Sequence, residues 1–411
     1  LWDHVFGTYK HYKNEPKSVG ANGLHHSSLS KQLLNPFIEW GILNKLIKLK
    51  TKPAWNKLWK ATKSPRSQQL AVLENILKQN KNTAFGKRTH FDSIKDVMDF
   101  KNRVPIQTFD ECYELIERQL ESSKPILTNE PITYLAKTSG TLGLPKRIPV
   151  TEASLSALNR SQQVSVYSVL KESPKLFWGD SFVLVDSEYE ESYCSLPVGS
   201  MSGKVYSRSP GIIKRKNKVE NQIHSIKSYD EKYFVLSFLA VTSPNVTLLS
   251  TANPSTILRL FESLLKNKEN IRQLLTNRNF EAQITEGISQ EIIRRQLSKL
   301  DRGTIEQAIR VLSQNEFELK DIFPHLAVVF CWTKGSCGYP MARLKAQLPK
   351  HAMVYEVGVV ASEYRATVNI DAKNNLCVPL LQDNFYEFIE PASYDSGERI
   401  TKTIDELEIN T

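Results

Sequence analysis

The stretch that most limits what this chain can fold into is Thr138-Ser139-Gly140-Thr141-Leu142-Gly143-Leu144-Pro145-Lys146, set between two strand-like runs, Ile132 to Lys137 and Arg147 to Val150. Two strands joined by a connection of this composition form a hairpin whose tip can wrap an anion. Gly140 and Gly143 can take positive φ, so that successive N–H groups converge on an oligophosphate. Thr138, Ser139 and Thr141 add hydroxyl donors, and Lys146 adds a full charge. The same residue types build ordinary polar turns, and a hairpin connection without a ligand is the alternative. Glycine economy argues for the first reading. The chain holds 17 glycines in 411 residues, sparse against the usual ~7 %, yet two fall in this one loop. It is not a Walker loop, because only two residues separate the glycines and no Ser or Thr follows the lysine.

At 411 residues and 40 % hydrophobic, the chain exceeds what one core usually supports, so two closely packed lobes are expected. No run approaches the ~18 apolar residues of a membrane span. Leu1-Trp2-Asp3-His4 shows neither an initiator Met nor a signal-peptide pattern, which reads as a cut-down or partial chain. Cys112, Cys194, Cys331, Cys337 and Cys377 are odd in number and scattered, without a C-x-x-C. That pattern argues against a disulfide framework or zinc site and for a reduced, cytoplasmic protein. The histidines make no metal-ligand spacing either.

The net charge of +10 suits an anionic ligand or partner, whether a small phosphate- or carboxylate-bearing molecule, nucleic acid or acidic lipid. Much of it lies in Gly41 to Arg66, where lysines occur with no acidic residue, interleaved with Leu43, Leu46, Ile47, Trp55, Leu58 and Trp59. This segment reads as a peripheral helix that packs an apolar stripe on the core and leaves a solvated lysine face, the stripe being interrupted at Thr51 and Pro53. The alternative is an amphipathic helix pair lying on an acidic membrane or partner.

Taken in order, residues 1–30 carry no sustained period and are expected to form a flexible arm ahead of one large domain over 31–411. Periodicity predicts helices from Ser67 to about Asn80, over Phe91 to Phe100, and over Phe109 to Leu120. Thr151 is the expected cap of the helix after the loop, with Glu152 well placed in its first turn. Phe182 to Val185 reads as a buried strand and Ser200-Met201-Ser202-Gly203 as a loop. Tyr229 to Val241 is helix or strand by period, and its length favours helix. Helices are expected over 255–275, 288–300 and 303–314, and strands over Val246 to Ser250, Ala327 to Cys331 and Met353 to Gly358.

Several of these segments carry a resemblance. The loop resembles the T-S-G-T-[ST]-G-x-P-K loop of adenylate-forming enzymes. The block Phe100-Lys101-Asn102-Arg103-Val104-Pro105-Ile106-Gln107-Thr108-Phe109-Asp110, followed by Ile116-Glu117, is similar to the F-x-x-x-V-P-[IV]-x-T-[YF]-[ED] entry and P-x-E-R helix of the GH3 family, the auxin-responsive acyl acid amido synthetases. Lys146-Arg147-Ile148-Pro149-Val150-Thr151 matches that family's K-x-I-P-V-T. Cys331-Trp332-Thr333-Lys334-Gly335-Ser336 matches its C-W-T-G-G-S with Lys334 in place of a glycine, and Val359-Val360-Ala361-Ser362-Glu363 corresponds to its Y-x-[SA]-S-E. The resemblance covers roughly residues 65–395.

It implies an α/β fold, the large N-terminal domain of a GH3-type adenylate-forming enzyme, with mixed sheets sandwiched by helices. It implies a ligase that joins a carboxylic acid, activated by ATP as an acyl-adenylate, to an amine such as an amino acid. Ser139, Thr141 and Lys146 would then hold phosphates, with Thr138, Gly140, Gly143, Gly335, Ser336 and Ser362 around the nucleotide. Glu363 would serve Mg2+ or the α-phosphate, and Glu363 and Lys146 would be the catalytic pair. Nucleic acid is not an expected partner. Three positions depart from the pattern: Val359 stands where an aromatic would stack on adenine, Val360 replaces a small residue, and Leu142 replaces the second loop hydroxyl. The chain stops at Thr411, before the family's Y-R-x-G-D motif and lid domain, so an incomplete, bacterial-type member with little or no turnover is expected. Two rivals remain beside the enzyme: a catalytically degenerate nucleotide- or acyl-binding protein, and a peripheral binder of acidic surfaces through 41–66.

Overall fold

The computed structural model describes residues 42–122, 124–138, 146–278 and 284–408. Contacts divide the chain into Leu1–Leu43 and Asn44–Thr411. Most of the first part, including the expected arm over 1–30, lies outside the described residues.

Helices come first: α1 (Ile42–Lys63), α2 (Pro65–Asn80), α3 (Ala84–Arg88), α4 (Val97–Arg103) and α5 (Phe109–Ser122). The helix expected over Phe91 to Phe100 is corrected to α3 and α4 with Phe91 buried in the turn between them. Local capping set those limits: the Thr83 hydroxyl accepts from Gly86 N, and the Asp96 carboxylate accepts from Asp99 N. The basic segment continues unbroken through Thr51 and Pro53. It runs as the single helix α1, because Pro53 faces solvent, where water can satisfy the carbonyl its missing N–H leaves free. The buried Thr51 hydroxyl donates back to Ile47 O at 2.8 Å. As the peripheral-helix reading expected, Ala54, Trp55 and Leu58 join Val164, Val368 and Leu380 in one apolar cluster.

The hairpin follows as β1 (Ile132–Lys137) and β2 (Arg147–Thr151), and the chain passes directly into α6 (Glu152–Glu172). Thr151 caps α6 as expected, in a reciprocal pair with Ser154. Then come β3 (Asp180–Val183), β4 (Glu191–Tyr193), β5 (Leu196–Gly199), α7 (Met201–Ser207) and α8 (Gly211–Lys216). The loop expected at Ser200 to Gly203 is instead the capped start of α7, with Ser200 Oγ accepting from Gly203 N at 2.9 Å. Gly203 is required there, since a Cβ would stand 2.2 Å from Asp186 O.

The remainder is α9 (Tyr229–Val241), β6 (Val246–Ser250), α10 (Pro254–Asn277), α11 (Gly287–Lys299), α12 (Arg302–Leu312), α13 (Leu319–Ile322), β7 (Val328–Cys331), α14 (Gly338–Gln347), β8 (Met353–Glu356), β9 (Thr367–Asp371), β10 (Leu376–Pro379), β11 (Glu387–Ile389), α15 (Pro391–Asp395) and β12 (Thr401–Thr403). Strands β3-β6-β7-β8 form an all-parallel sheet, and β2-β1-β5-β4 a mixed one. The parallel sheet holds the main core, with α9 packed on α10 and α11, and α10 also on α12 and α14. Every residue from Phe234 to Val241 is buried, which is why α9 shows no amphipathic period. The strands expected at 182–185 and 353–358 end at Val183 and Glu356, where the chain leaves the sheet.

Candidate functional site

The base of the sequence-predicted phosphate loop is a closed hairpin. Lys137 pairs with Arg147 in register. Thr138 N donates to Lys146 O at 3.0 Å, and Lys146 N donates to Thr138 Oγ1 at 3.1 Å. The Thr138 hydroxyl is thus an acceptor toward the backbone and keeps its own proton for a ligand. Lys146 Nζ is half-exposed, 3.1 Å from Asp110 Oδ1 and 4.3 Å above the Phe109 ring. Beside the hairpin, the Tyr193 hydroxyl donates to Glu117 at 2.6 Å; this bond, with burial, pushes the phenol up to about 12. The Arg147 guanidinium lies 4.1 Å over the same ring, so α5, β2 and β4 are tied together at the base of the hairpin. Ser139, Gly140, Thr141 and Gly143, together with Leu142, lie outside the described residues.

A second cluster forms where β7 and β8 end side by side. Gly335 has φ +60 and opens a 3-10 turn, and Ser336 follows it, both exposed. The buried carboxylate of Glu356 links the two strand ends. It accepts from Thr333 N at 2.7 Å, from Thr333 Oγ1 at 2.5 Å and from Gly358 N at 2.8 Å. Trp332 Nε1 donates to Gly358 O at 3.0 Å, a second link between the same turns. All three of the Glu356 partners are donors, so a carboxamide in its place would set an N–H2 against an N–H. Glu356→Gln is expected to lower stability by about 2 kcal/mol, the scale of a broken buried charge-assisted contact. Urea unfolding measures this, and a change below about 0.5 kcal/mol would mean the strand ends hold without the carboxylate.

Beyond Gly358 the chain makes a tight excursion and returns into β9. Gly358 has φ +85, and a Cβ there would stand 2.6 Å from Thr367 O. Val359 N donates to Thr367 Oγ1 at 2.9 Å, and Ala361 N to Tyr364 O at 2.9 Å. Arg365 is buried beneath the excursion. Its guanidinium donates to the carbonyls of Val357 and Thr367 and to Ser161 Oγ and Ser165 Oγ on α6. Burial lowers the pKa of this guanidinium, partly offset by Tyr355, Cys377 and Glu356. Next to Ser161 on α6, Arg160 pairs with the almost fully buried Asp383 at 2.6 Å. Helix α6 therefore starts at the hairpin and is bolted along its length to the segment after β8.

What the excursion displays is Ser362, half-buried, and Glu363, exposed and without a hydrogen bond or ion pair among the described residues. Val359, at the position of the implied aromatic, is 61 % exposed. Of the sequence-predicted site residues, Gly335, Ser336, Ser362 and Glu363 lie on adjacent turns at one end of the parallel sheet. Thr138 and Lys146 lie on the other sheet, and no hydrogen bond among the described residues joins them to Ser362 or Glu363. Sequence reasoning missed Glu356, Arg365, Arg160 and Asp383. A signal existed for the first: an acid closing the run Met353-Val354-Tyr355 of a buried strand must find donors.

The GH3 family N-terminal domain matches residues 54–353. Indole-3-acetic acid-amido synthetase GH3.4 of Arabidopsis thaliana is 25 % identical over 331 residues, 77 % of this chain and 54 % of its own length. Indole-3-acetic acid-amido synthetase GH3.2 of the same plant is 38 % identical over 96 residues, covering 23 % of this chain and 18 % of the relative. The chain thus spans little more than half the length of that GH3.4 synthetase. The solved structure of AtGH3.15 acyl acid amido synthetase in complex with 2,4-DB superposes with a TM-score of 0.76 at 19 % identity, over 88 % of this chain and 64 % of that one, which establishes the shared α/β fold. With the family's N-terminal domain matched across the hairpin, α6, and all four parallel strands as far as the start of β8, the chain belongs to the GH3 family.

Proposed function

We propose that this chain activates a carboxylic acid with ATP as an acyl-adenylate and passes the acyl group to an amine such as an amino acid. The observation that carries the reading is the pairing of a hairpin closed between Thr138 and Lys146, which leads into the start of α6, with a Ser362-Glu363 turn that is held to Ser161 and Ser165 further along α6 and whose carboxylate has no hydrogen bond or ion pair among the described residues. The names of the relatives, amido synthetases for indole-3-acetic acid, support it. The carboxylate substrate is already ionised at neutral pH, so attack on the α-phosphorus needs no base from the chain. The chain must instead bind and orient polyphosphate and meet the charge that develops as pyrophosphate departs.

Thr138, through its free hydroxyl proton, and Lys146, through its ammonium, are the described groups assigned to phosphate, with Ser139, Gly140, Thr141 and Gly143 completing the cradle. Gly335, Ser336 and Ser362 are assigned to the nucleotide's other side. Among the described residues no cluster of three or more His, Cys, Asp or Glu is set to hold a metal. A metal here would take one carboxylate from the chain and the rest of its ligands from phosphate and water, which is the habit of Mg2+. Glu363 fits that requirement, and bound there Mg2+ would neutralise charge on the α-phosphate and leaving group. No described helix is long and apolar enough to cross a membrane, and the cysteines are free, which supports placement in the reducing cytoplasm.

Lys146 must exchange Asp110 for phosphate, and both partners are solvent-exposed enough that the exchange is cheap. Millimolar ATP with Mg2+ is therefore expected to raise the melting temperature, and Lys146→Ala to remove most of that rise. Asp110→Asn, which frees the lysine, should tighten ATP by a few-fold at most. The decisive assay is Mg2+-dependent pyrophosphate release across a panel of carboxylic acids, followed by mass spectrometry for amide. No thermal shift at millimolar ATP and no acid-dependent release would defeat the proposal.

A further inference from the structure

The helix α1 offers two opposite surfaces, and only one is accounted for by the fold. Its inner stripe, Ala54, Trp55 and Leu58, is buried in the core. Its outer surface carries Leu46 and Leu49, which are 58 % and 66 % exposed, with the exposed Pro53 in line after them at helical spacing. By the same spacing Lys45, Lys52 and Lys63 run along one side of this ridge, Lys50 and Lys57 along the other, and Lys60 continues it. All six lysines are exposed, and none is in an ion pair among the described residues. No acidic residue occurs anywhere between Ile42 and Arg66.

We propose that this face of α1 docks the protein on an anionic lipid bilayer, lying flat with Leu46 and Leu49 entering the headgroup boundary. Charge complementarity selects an acidic surface: six exposed lysines with no acidic residue among them set up a positive potential that attracts anions. The apolar ridge then selects lipid over nucleic acid. At the point of closest approach it presents hydrocarbon, which a bilayer interface takes up and a phosphate backbone does not. Lysines flanking such a ridge can lay their methylene stems along the interface and keep their ammonium groups at the headgroups. A 22-residue helix is about 33 Å long, enough for every lysine to reach the surface together. The proposal is independent of the enzymatic activity and stands or falls separately from it.

Flotation of the whole chain with phosphatidylcholine vesicles, with and without about 30 % phosphatidylserine, tests it. The chain should float with the anionic vesicles at about 50 mM salt, fail to float with neutral ones, and release at about 500 mM. Each lysine near such a surface contributes about fivefold in binding. Lys45→Glu, Lys52→Glu and Lys57→Glu together should therefore lower binding at least a hundredfold, and Leu46→Ser with Leu49→Ser about tenfold, without a change in melting temperature. The double serine variant should bind duplex DNA no worse than the parent. Absence of flotation with anionic vesicles would overturn the proposal. So would unchanged flotation of the serine variant, which would show a general polyanion face with no use for the leucines.

Discussion

Replacing Arg365 by alanine is expected to destabilise the protein by about 3 kcal/mol, read as a fall in the urea or thermal unfolding midpoint. The side chain is buried, and it supplies donors to two backbone carbonyls and two serine hydroxyls that have to find others when it goes. Lost charge-assisted bonds of ~1.5 kcal/mol or more each would exceed this figure, but removing a buried charge returns part of its desolvation cost. Arg365→Met separates the causes, because it refills the space and restores no donor. A methionine variant as weak as alanine would place the cost in the hydrogen bonds, and a loss under about 1 kcal/mol in both would mean that water satisfies the carbonyls. The consequence reaches the site because Arg365 holds the excursion that presents Ser362 and Glu363.

Glu363→Gln should behave in the opposite way. The exposed carboxylate has no described polar partner, so its loss is expected to change stability by no more than about 0.5 kcal/mol. In the proposed reaction it is expected to slow acid-dependent pyrophosphate release by ~10²-fold or more, with ATP affinity less affected, as for a charge that acts mainly in the transition state. Rate and thermal shift measured on the same sample decide it. A matched loss of binding and rate would assign Glu363 to ground-state binding, and an unchanged rate would remove it from the chemistry.

Much of this protein was legible because the relevant physics is local. The hairpin runs, the cap at Thr151 and the helix over Tyr229–Val241 follow from turn residues, capping and segment length, which act over a few positions. The same local rules failed where two were in competition. The Ser200 to Gly203 segment reads as a loop, whereas Ser200 is the N-cap of α7. The residues that organise the site belong to a different class. Arg365 meets Ser161 across 204 positions and Ser165 across 200, and Thr333 meets Glu356 across 23. Nothing in the neighbourhood of a buried charge in the sequence names its partner, because the cost of burial is met by whichever donors or acceptors the fold brings to it. The candidate chemistry-bearing residues could thus be proposed from their own types and order. What holds them in place was decided only when α6 and the ends of β7 and β8 came together.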